Sequence, residues 1–218
     1  MTRSCRIILS GTPVRAEFGT VDRHAARRSL NVDNGEALLT VVGGSSGSDQ
    51  LSSAFLPIVP ILLRSFPKLH IHHQRGPGVP HALKMTTCAH KRYHETSFFK
   101  NMADQFAASD LVLARSGALT CAEVLRTGVP SILWPLVPSA DNHQAENAKA
   151  MVCKGASILF RETDKRQCSH ELLELLSDIL NRHGCLSRIR LCGFGTRCQS
   201  AAERVVRDIL RLVQHRYI

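Results

Sequence analysis

Residues 36–182 alternate short apolar runs with longer amphipathic stretches, and this rhythm limits the possible folds more than any other feature. The runs "EALLTVVGG" (36–44), "KLHIHHQ" (68–74), "LVLAR" (111–115), "VPSILWPL" (129–136) and "ASILF" (156–160) have the length and apolar content of strands. The stretches between and after them read as helices: 48–66, 97–110 after a turn, 117–128, 142–155 and 169–182, with a terminal helix over 200–216. Gly128 and Gly155 are read as closing two of these helices, and Ser169 as capping another. Pro57 and Pro60 predict a kink or break in the first. "RIILSG" (6–11) is read as a further strand, "KLHIHHQ" as a strand of alternating character, and 75–96 as a long irregular loop. Strands alternating with helices imply βα units. The expected fold is therefore α/β, a Rossmann-like doubly wound parallel sheet covered on both faces.

The chain has 218 residues, 44% hydrophobic and 21% charged, an ordinary globular composition with room for one good core or two small ones. No run approaches the roughly 18–20 apolar residues of a membrane span. The formal charge of +10 points to anionic partners. Aromatic residues are only 5%, and the basic residues are dispersed: Arg23, Arg27 and Arg28, then Lys91 and Arg92, then Arg188, Arg190, Arg197, Arg204, Arg207 and Arg211. That pattern argues against nucleic acid and for a diphosphate substrate or an anionic membrane surface. None of the eight cysteines forms CxxC, and with no secretion signal read at the start of the sequence, reduced thiols in a cytosolic compartment are expected. Cys185, Cys192 and Cys198 with His183 match no zinc spacing, and the eleven histidines form no HExxH. Neither a metal nor a cofactor is expected.

In a doubly wound sheet, ligands lie beyond the carboxyl ends of the strands. Three of those ends are rich in small or polar residues. GGSSGS (43–48) follows the first strand, and its glycines allow close backbone approach, although it is neither GxGxxG nor a lysine-bearing phosphate loop. SGALT (116–120) follows "LVLAR" and places the amides of Ala118, Leu119 and Thr120 at a helix start. Glu123, three residues after Thr120, is either a capping glutamate on a solvated first turn or a carboxylate for a ribose diol. DNHQAEN (141–147) puts Gln144 and Asn147 on one side of a helix start, as an exposed polar turn or as amides for sugar hydroxyls. Three such ends on one sheet edge favour convergence on a polar ligand.

Taken together, GTPVR, VVGGSSGS, HHQRG, ARSGALTCAEVLRTGVPSILWPL and DNHQAENA closely resemble the C-terminal, donor-binding domain of the MurG-type transferases of glycosyltransferase family 28, from about Gly11 to the terminal helix. The resemblance implies one half of a GT-B fold, holding UDP-N-acetylglucosamine for transfer to lipid-linked muramyl-pentapeptide in peptidoglycan synthesis. It implies that Arg15 and Ser45 contact the diphosphate, that Ala118, Leu119 and Thr120 offer backbone contacts to phosphate and sugar, and that Glu123 binds the ribose. It further implies that Gln144 and Asn147 read the sugar and that the backbone of Phe99 reads the uracil edge. Phe99 stands where the family usually has a smaller aliphatic residue. His73 and Gln74 match a family strand end. A metal-independent transferase stabilises the departing diphosphate with helix N-termini and arginine.

The resemblance also implies what this half lacks. The general base and acceptor site belong to an N-terminal domain opening on a glycine-rich loop with a histidine, which does not occur in this sequence. Residues 1–29 are then a lead-in from the junction, and 30–218 the nucleotide-sugar domain. The chain is expected to be a fragment, a product of a misplaced start or one subunit of a split enzyme, on the inner face of the cell membrane. The eukaryotic transferase of the second dolichol-linked sugar, which resembles this family, is split in that way. Two other readings remain: a noncatalytic UDP-sugar-binding module or subunit, and a UDP-sugar epimerase of GT-B shape. Pro57, Pro60, "HIHHQ" and "HKRYH" depart from the family pattern.

Overall fold

The computed structural model describes residues 7–77, 91–136, 142–155, 157–161, 164, 166–182 and 201–214. Its centre is a parallel sheet of six strands: β1 (Ala37–Val42), β2 (Leu69–Gln74), β3 (Tyr93–Thr96), β4 (Leu111–Ala114), β5 (Ser131–Leu133) and β6 (Ser157–Leu159). The order across the sheet is β3-β2-β1-β4-β5-β6, and every neighbouring pair is parallel. The helices are α1 (Arg23–Ser29), α2 (Asp49–Phe55), α3 (Val59–Ser65), α4 (Met102–Ala108), α5 (Ala118–Thr127), α6 (His143–Cys153), α7 (Cys168–Asn181) and α8 (Ala201–Gln214).

Two apolar layers explain why the strand sequences run apolar without alternation. Leu39, Val41, Leu111 and Leu113 face α2, α3 and α7, packing with Leu51, Phe55, Leu62 and Leu172. Val42, Val112 and Ala114 face the other way, toward Phe106 of α4, Cys121 and Val124 of α5 and Met151 of α6. Both faces are covered, so both sets of side chains must be apolar. The same burial governs β2, where all six residues are buried and the expected alternation is absent. His70 and His72 are buried on it, as is His73, whose Nδ1 bonds Tyr93 Oη at 2.9 Å.

Four other expectations need correction or refinement. Residues 7–10 form no strand, and Ile7 and Leu9 are exposed. Cys5 and Arg6 lie outside the described residues. The predicted loop 75–96 contains an edge strand, β3, in register with β2 from Ile71↔Tyr93 to Gln74↔Thr96. Its polar sequence, YHET, concealed it. Ser169 does not cap α7, which starts one residue earlier, after Gln167 and without a side-chain cap, with Cys168 buried. The expected break at Pro57 and Pro60 takes the form of a single 3₁₀ turn, Leu56–Ile58, between α2 and α3. Gly128 and Gly155 do end α5 and α6 in left-handed conformation, with φ of 67° and 68°. The cysteine set in 185–198 and His183 lie outside the described residues, as do Cys88, Lys91's preceding loop and Asp141.

Phe18 and α1 are packed onto the domain. Phe18 is fully buried against Phe106, with ring centroids 6.0 Å apart, a burial worth roughly 2–3 kcal/mol. Arg27, read from sequence as one of the dispersed charges, is buried. It donates to the carbonyls of Asp33, Glu36 and Ala108 and to Asp110, while Arg23 donates to the other oxygen of the same carboxylate. Asp110 in turn accepts from the Leu38 N–H at 2.8 Å, which fastens α1 to the start of β1.

Candidate functional site

The strand order puts a topological switch between β1 and β4, with the chain running outward to β2 and β3 on one side and to β5 and β6 on the other. Loops leaving the two strands turn apart there, which opens a crevice at their carboxyl ends. Residues 43–48 and 115–117 flank it. The glycines serve two purposes. A Cβ on Gly47 would stand 2.2 Å from the Arg75 carbonyl oxygen, one on Gly76 2.3 Å from Gly47 Cα, and one on Gly43 2.6 Å from Ser48 N. These three let loops pack backbone to backbone. Gly44 and Gly117 instead have nothing within 4 Å of the position a Cβ would take, so the backbone there faces space a ligand can enter.

The two helix starts, alike in sequence, differ in structure. Ser48 caps α2 by accepting from the Leu51 N–H at 3.3 Å, and Asp49 occupies the first turn. That helix end already has its negative partner. On the exposed loop before it stands Ser45. By contrast, α5 follows Gly117 with no side-chain cap and no acidic residue in its first turn. The amides of Ala118, Leu119 and Thr120 therefore carry the partial positive charge of an open helix end, about half a unit.

Glu123 lies in the second turn of α5, half-buried, which removes the reading of a first-turn cap. Burial pushes its carboxyl pKa up, and the positive charge of Arg15 opposes that shift. Arg15 itself is half-exposed, its guanidinium 5.3 Å from the Phe18 ring centroid and 3.6 Å from the Glu17 carboxylate. Arg15, Ala118, Asn147 and the start of α8 line a cleft of ≈ 690 Å³. Cys121, also on its wall, has its thiol pushed up to about 11 by burial, so it is an inert thiol at neutral pH.

Gln144 and Asn147 are half-buried in the first turns of α6, not an exposed polar face. Gln144 Oε1 accepts from the Leu136 N–H at 3.0 Å, and Asn147 Nδ2 donates to the Ser116 carbonyl at 3.0 Å. Ser116 Oγ donates to the Gln144 carbonyl at 2.8 Å, closing the staple between α6 and the loop after β4. Among the described residues these bonds use one half of each amide, the acceptor of Gln144 and the donor of Asn147. Beyond β3, the buried Phe99 gives its N–H to Gln74 Oε1 at 2.8 Å.

The Glycosyltransferase family 28 C-terminal domain matches residues 38–187, well over half of the chain. The chain belongs to glycosyltransferase family 28. The UDP-N-acetylglucosamine–N-acetylmuramyl-(pentapeptide) pyrophosphoryl-undecaprenol N-acetylglucosamine transferase of Salinibacter ruber is 31% identical over 205 residues, 94% of this chain and 54% of that protein. Its counterpart in Desulforudis audaxviator is 34% identical, over 85% of this chain and 51% of that protein. The chain thus spans about half the length of the curated relatives it matches. Among solved structures, MurG of Acinetobacter baumannii superposes with a TM-score of 0.65 at 23% identity, covering 91% of this chain and 55% of that one. WaaG, a glycosyltransferase involved in lipopolysaccharide biosynthesis, gives a TM-score of 0.57 at 18% identity, covering 89% and 54%. The fold is the Rossmann-like half of a GT-B architecture, as the sequence leads one to expect.

In this family 28 domain, sequence reasoning passed over Arg115. Its guanidinium is buried and lies 4.6 Å from the Trp134 ring centroid. It donates to Ser48 Oγ (2.9 Å), Gln50 Oε1 (2.8 Å) and the carbonyls of Trp134 and Pro135 (both 3.2 Å), so one side chain ties together the loops after β1, β4 and β5. The available signal was an arginine ending an otherwise apolar strand, a position where a charge is buried only with partners. His73 does not reach the site: it is fully buried in the core, edge-on to Phe55 at 5.4 Å. Among the described residues no group of three or more His, Cys, Asp or Glu is arranged to hold a metal ion. Of the expected site residues, Arg15, Ala118 and Asn147 line one cleft, and an open helix end beside an arginine has the chemistry to stabilise negative charge.

Proposed function

We propose that this chain holds UDP-N-acetylglucosamine as the donor half of a hexosyltransferase. The observation that carries the proposal is the uncapped N-terminus of α5 at the switch point, with Glu123 one turn further along and Arg15 close enough to influence its carboxyl. In this reading Arg15, Ser45 and the amides of Ala118, Leu119 and Thr120 hold the diphosphate and the near side of the sugar. Glu123 accepts from the ribose hydroxyls, Gln144 and Asn147 read the sugar hydroxyls, and the Phe99 carbonyl accepts from the uracil edge. The reaction moves N-acetylglucosamine to a lipid-linked muramyl-pentapeptide, at the inner face of the cell membrane, for peptidoglycan synthesis. The activity of the relatives supports that choice of donor and acceptor.

The acceptor site and general base belong to a second half, supplied as a partner chain or as a further part of the same protein, with residues 1–29 as the lead-in from the junction. The coverage of relatives supports this, and so does α8. Val206, Ile209, Leu210 and Val213 form one stripe on that helix, each about half exposed. The net charge of +10 favours an anionic lipid surface close by. The site assignment is tested by Glu123→Ala and Gln144→Ala. Each should weaken UDP-N-acetylglucosamine binding by roughly 1–3 kcal/mol while the circular dichroism spectrum stays native. Unchanged affinity in both variants would overturn the assignment.

A further inference from the structure

Gln74 ends β2 with its side chain only 1% exposed. Its Nε2 donates to the Gly44 carbonyl at 3.0 Å, and its Oε1 accepts from the Phe99 N–H at 2.8 Å. A carbonyl only accepts and a backbone N–H only donates, so the amide has a single workable orientation. Gly44 belongs to the loop after β1 and faces open space, while Phe99 belongs to the segment after β3. One buried amide therefore spans the strand between them and fixes the spacing of two loops that share no ladder bonds: β1 and β3 both pair with β2, not with each other. The surroundings reinforce the link, because Gly47 and Gly76 pack backbone to backbone and the Arg75 and Gly76 amides donate to the Thr96 and Ser97 carbonyls. All of these contacts join the same three strand ends.

Resting on the donor reading, we propose that Gln74 is a positioning residue that couples the base-reading segment to the diphosphate-side loop, so that base discrimination and diphosphate affinity are one property. Phe99's peptide is held with its N–H already bonded, and a base must present a donor to the remaining carbonyl. Uracil does so with its N3–H; cytosine presents an acceptor at the same ring position. Losing the clip frees the Phe99 peptide to rotate and lets the Gly44 loop drift from it.

The test uses the full 218-residue chain. Calorimetry on the wild type, Gln74→Leu and Gln74→Asn (one methylene short of the span) measures affinity for UDP and for CDP. The expected result is UDP weakened at least about tenfold in the variants and the UDP-to-CDP preference falling toward unity. A merely structural role weakens both nucleotides alike and keeps their ratio, and that outcome overturns the proposal while leaving the donor reading intact. Hydrogen exchange without ligand gives the second measurement. The Phe99 amide and those of 43–48 should exchange faster in the variants, with β4 and β5 unchanged; retained protection at Phe99 also overturns the proposal. A folded wild type that binds neither nucleotide overturns the donor reading and the base-discrimination claim together, and exchange then decides whether Gln74 couples the loops.

Discussion

Several polar residues in this chain are polar for the sake of the fold, and their behaviour with pH separates them from Glu123. His72 and His73 are buried, and burial lowers both pKa values from 6.5 to about 4. His72 Nδ1 pairs with Gln105 Oε1 at 2.9 Å, a bond that opposes part of its shift. A histidine whose folded pKa is depressed binds fewer protons in the native state than in the unfolded one. Its contribution is present above pH 6.5 and is lost as the pH falls toward 4. The melting temperature should therefore be flat above about pH 7 and fall steadily between pH 6.5 and 4.5, before ordinary carboxylates titrate. Scanning calorimetry across that window checks it, and a constant melting temperature down to pH 4.5 would contradict the buried, neutral assignment. Glu123 is the opposite case, since burial raises its carboxyl pKa and the positive charge of Arg15 opposes that shift.

Among the elements, the loops at the carboxyl ends of β1 and β4 were legible as turns rich in small residues, but their division of labour was not. Sequence shows six glycines and serines in GGSSGS and none of the partners that make Gly47 obligatory. A Cβ there would strike the Arg75 carbonyl, and φ is +80°, so Gly47→Ala should cost at least ~2 kcal/mol in a urea titration. Gly117→Ala should leave stability within about 1 kcal/mol yet weaken donor binding, because its methyl enters the open space before α5. Equal effects of the two changes on stability would show that the loops are not divided in this way. Strands with both faces buried announce themselves as continuous apolar runs, which is why β1, β4 and β5 were readable. The edge strand β3 has Tyr93 as its one buried residue and exists because β2 offers it a ladder, so local pattern could not reveal it. The side chains that brace the site, Arg115 and Gln74, earn their meaning from residues 19 to 67 positions away, and spacing along the chain carries no trace of that.

For the whole molecule, the sheet and its two apolar layers form a self-consistent domain, whereas α8 presents its apolar stripe to solvent. Because Ile209 and Leu210 are 54% and 56% exposed, replacing both by glutamate should change the stability of the isolated chain by no more than about 1 kcal/mol. A loss above about 2 kcal/mol on chemical denaturation would mean that α8 is part of the domain core and not a surface open to a second half. Donor binding by this domain can be measured without a second half. Calorimetric titration of the purified chain with UDP-N-acetylglucosamine, against UDP-glucose as control, should give saturable binding that favours the N-acetylated sugar. A folded chain that gives no binding heat with either compound, or that binds both equally, would contradict the assignment of this domain as a UDP-N-acetylglucosamine donor site.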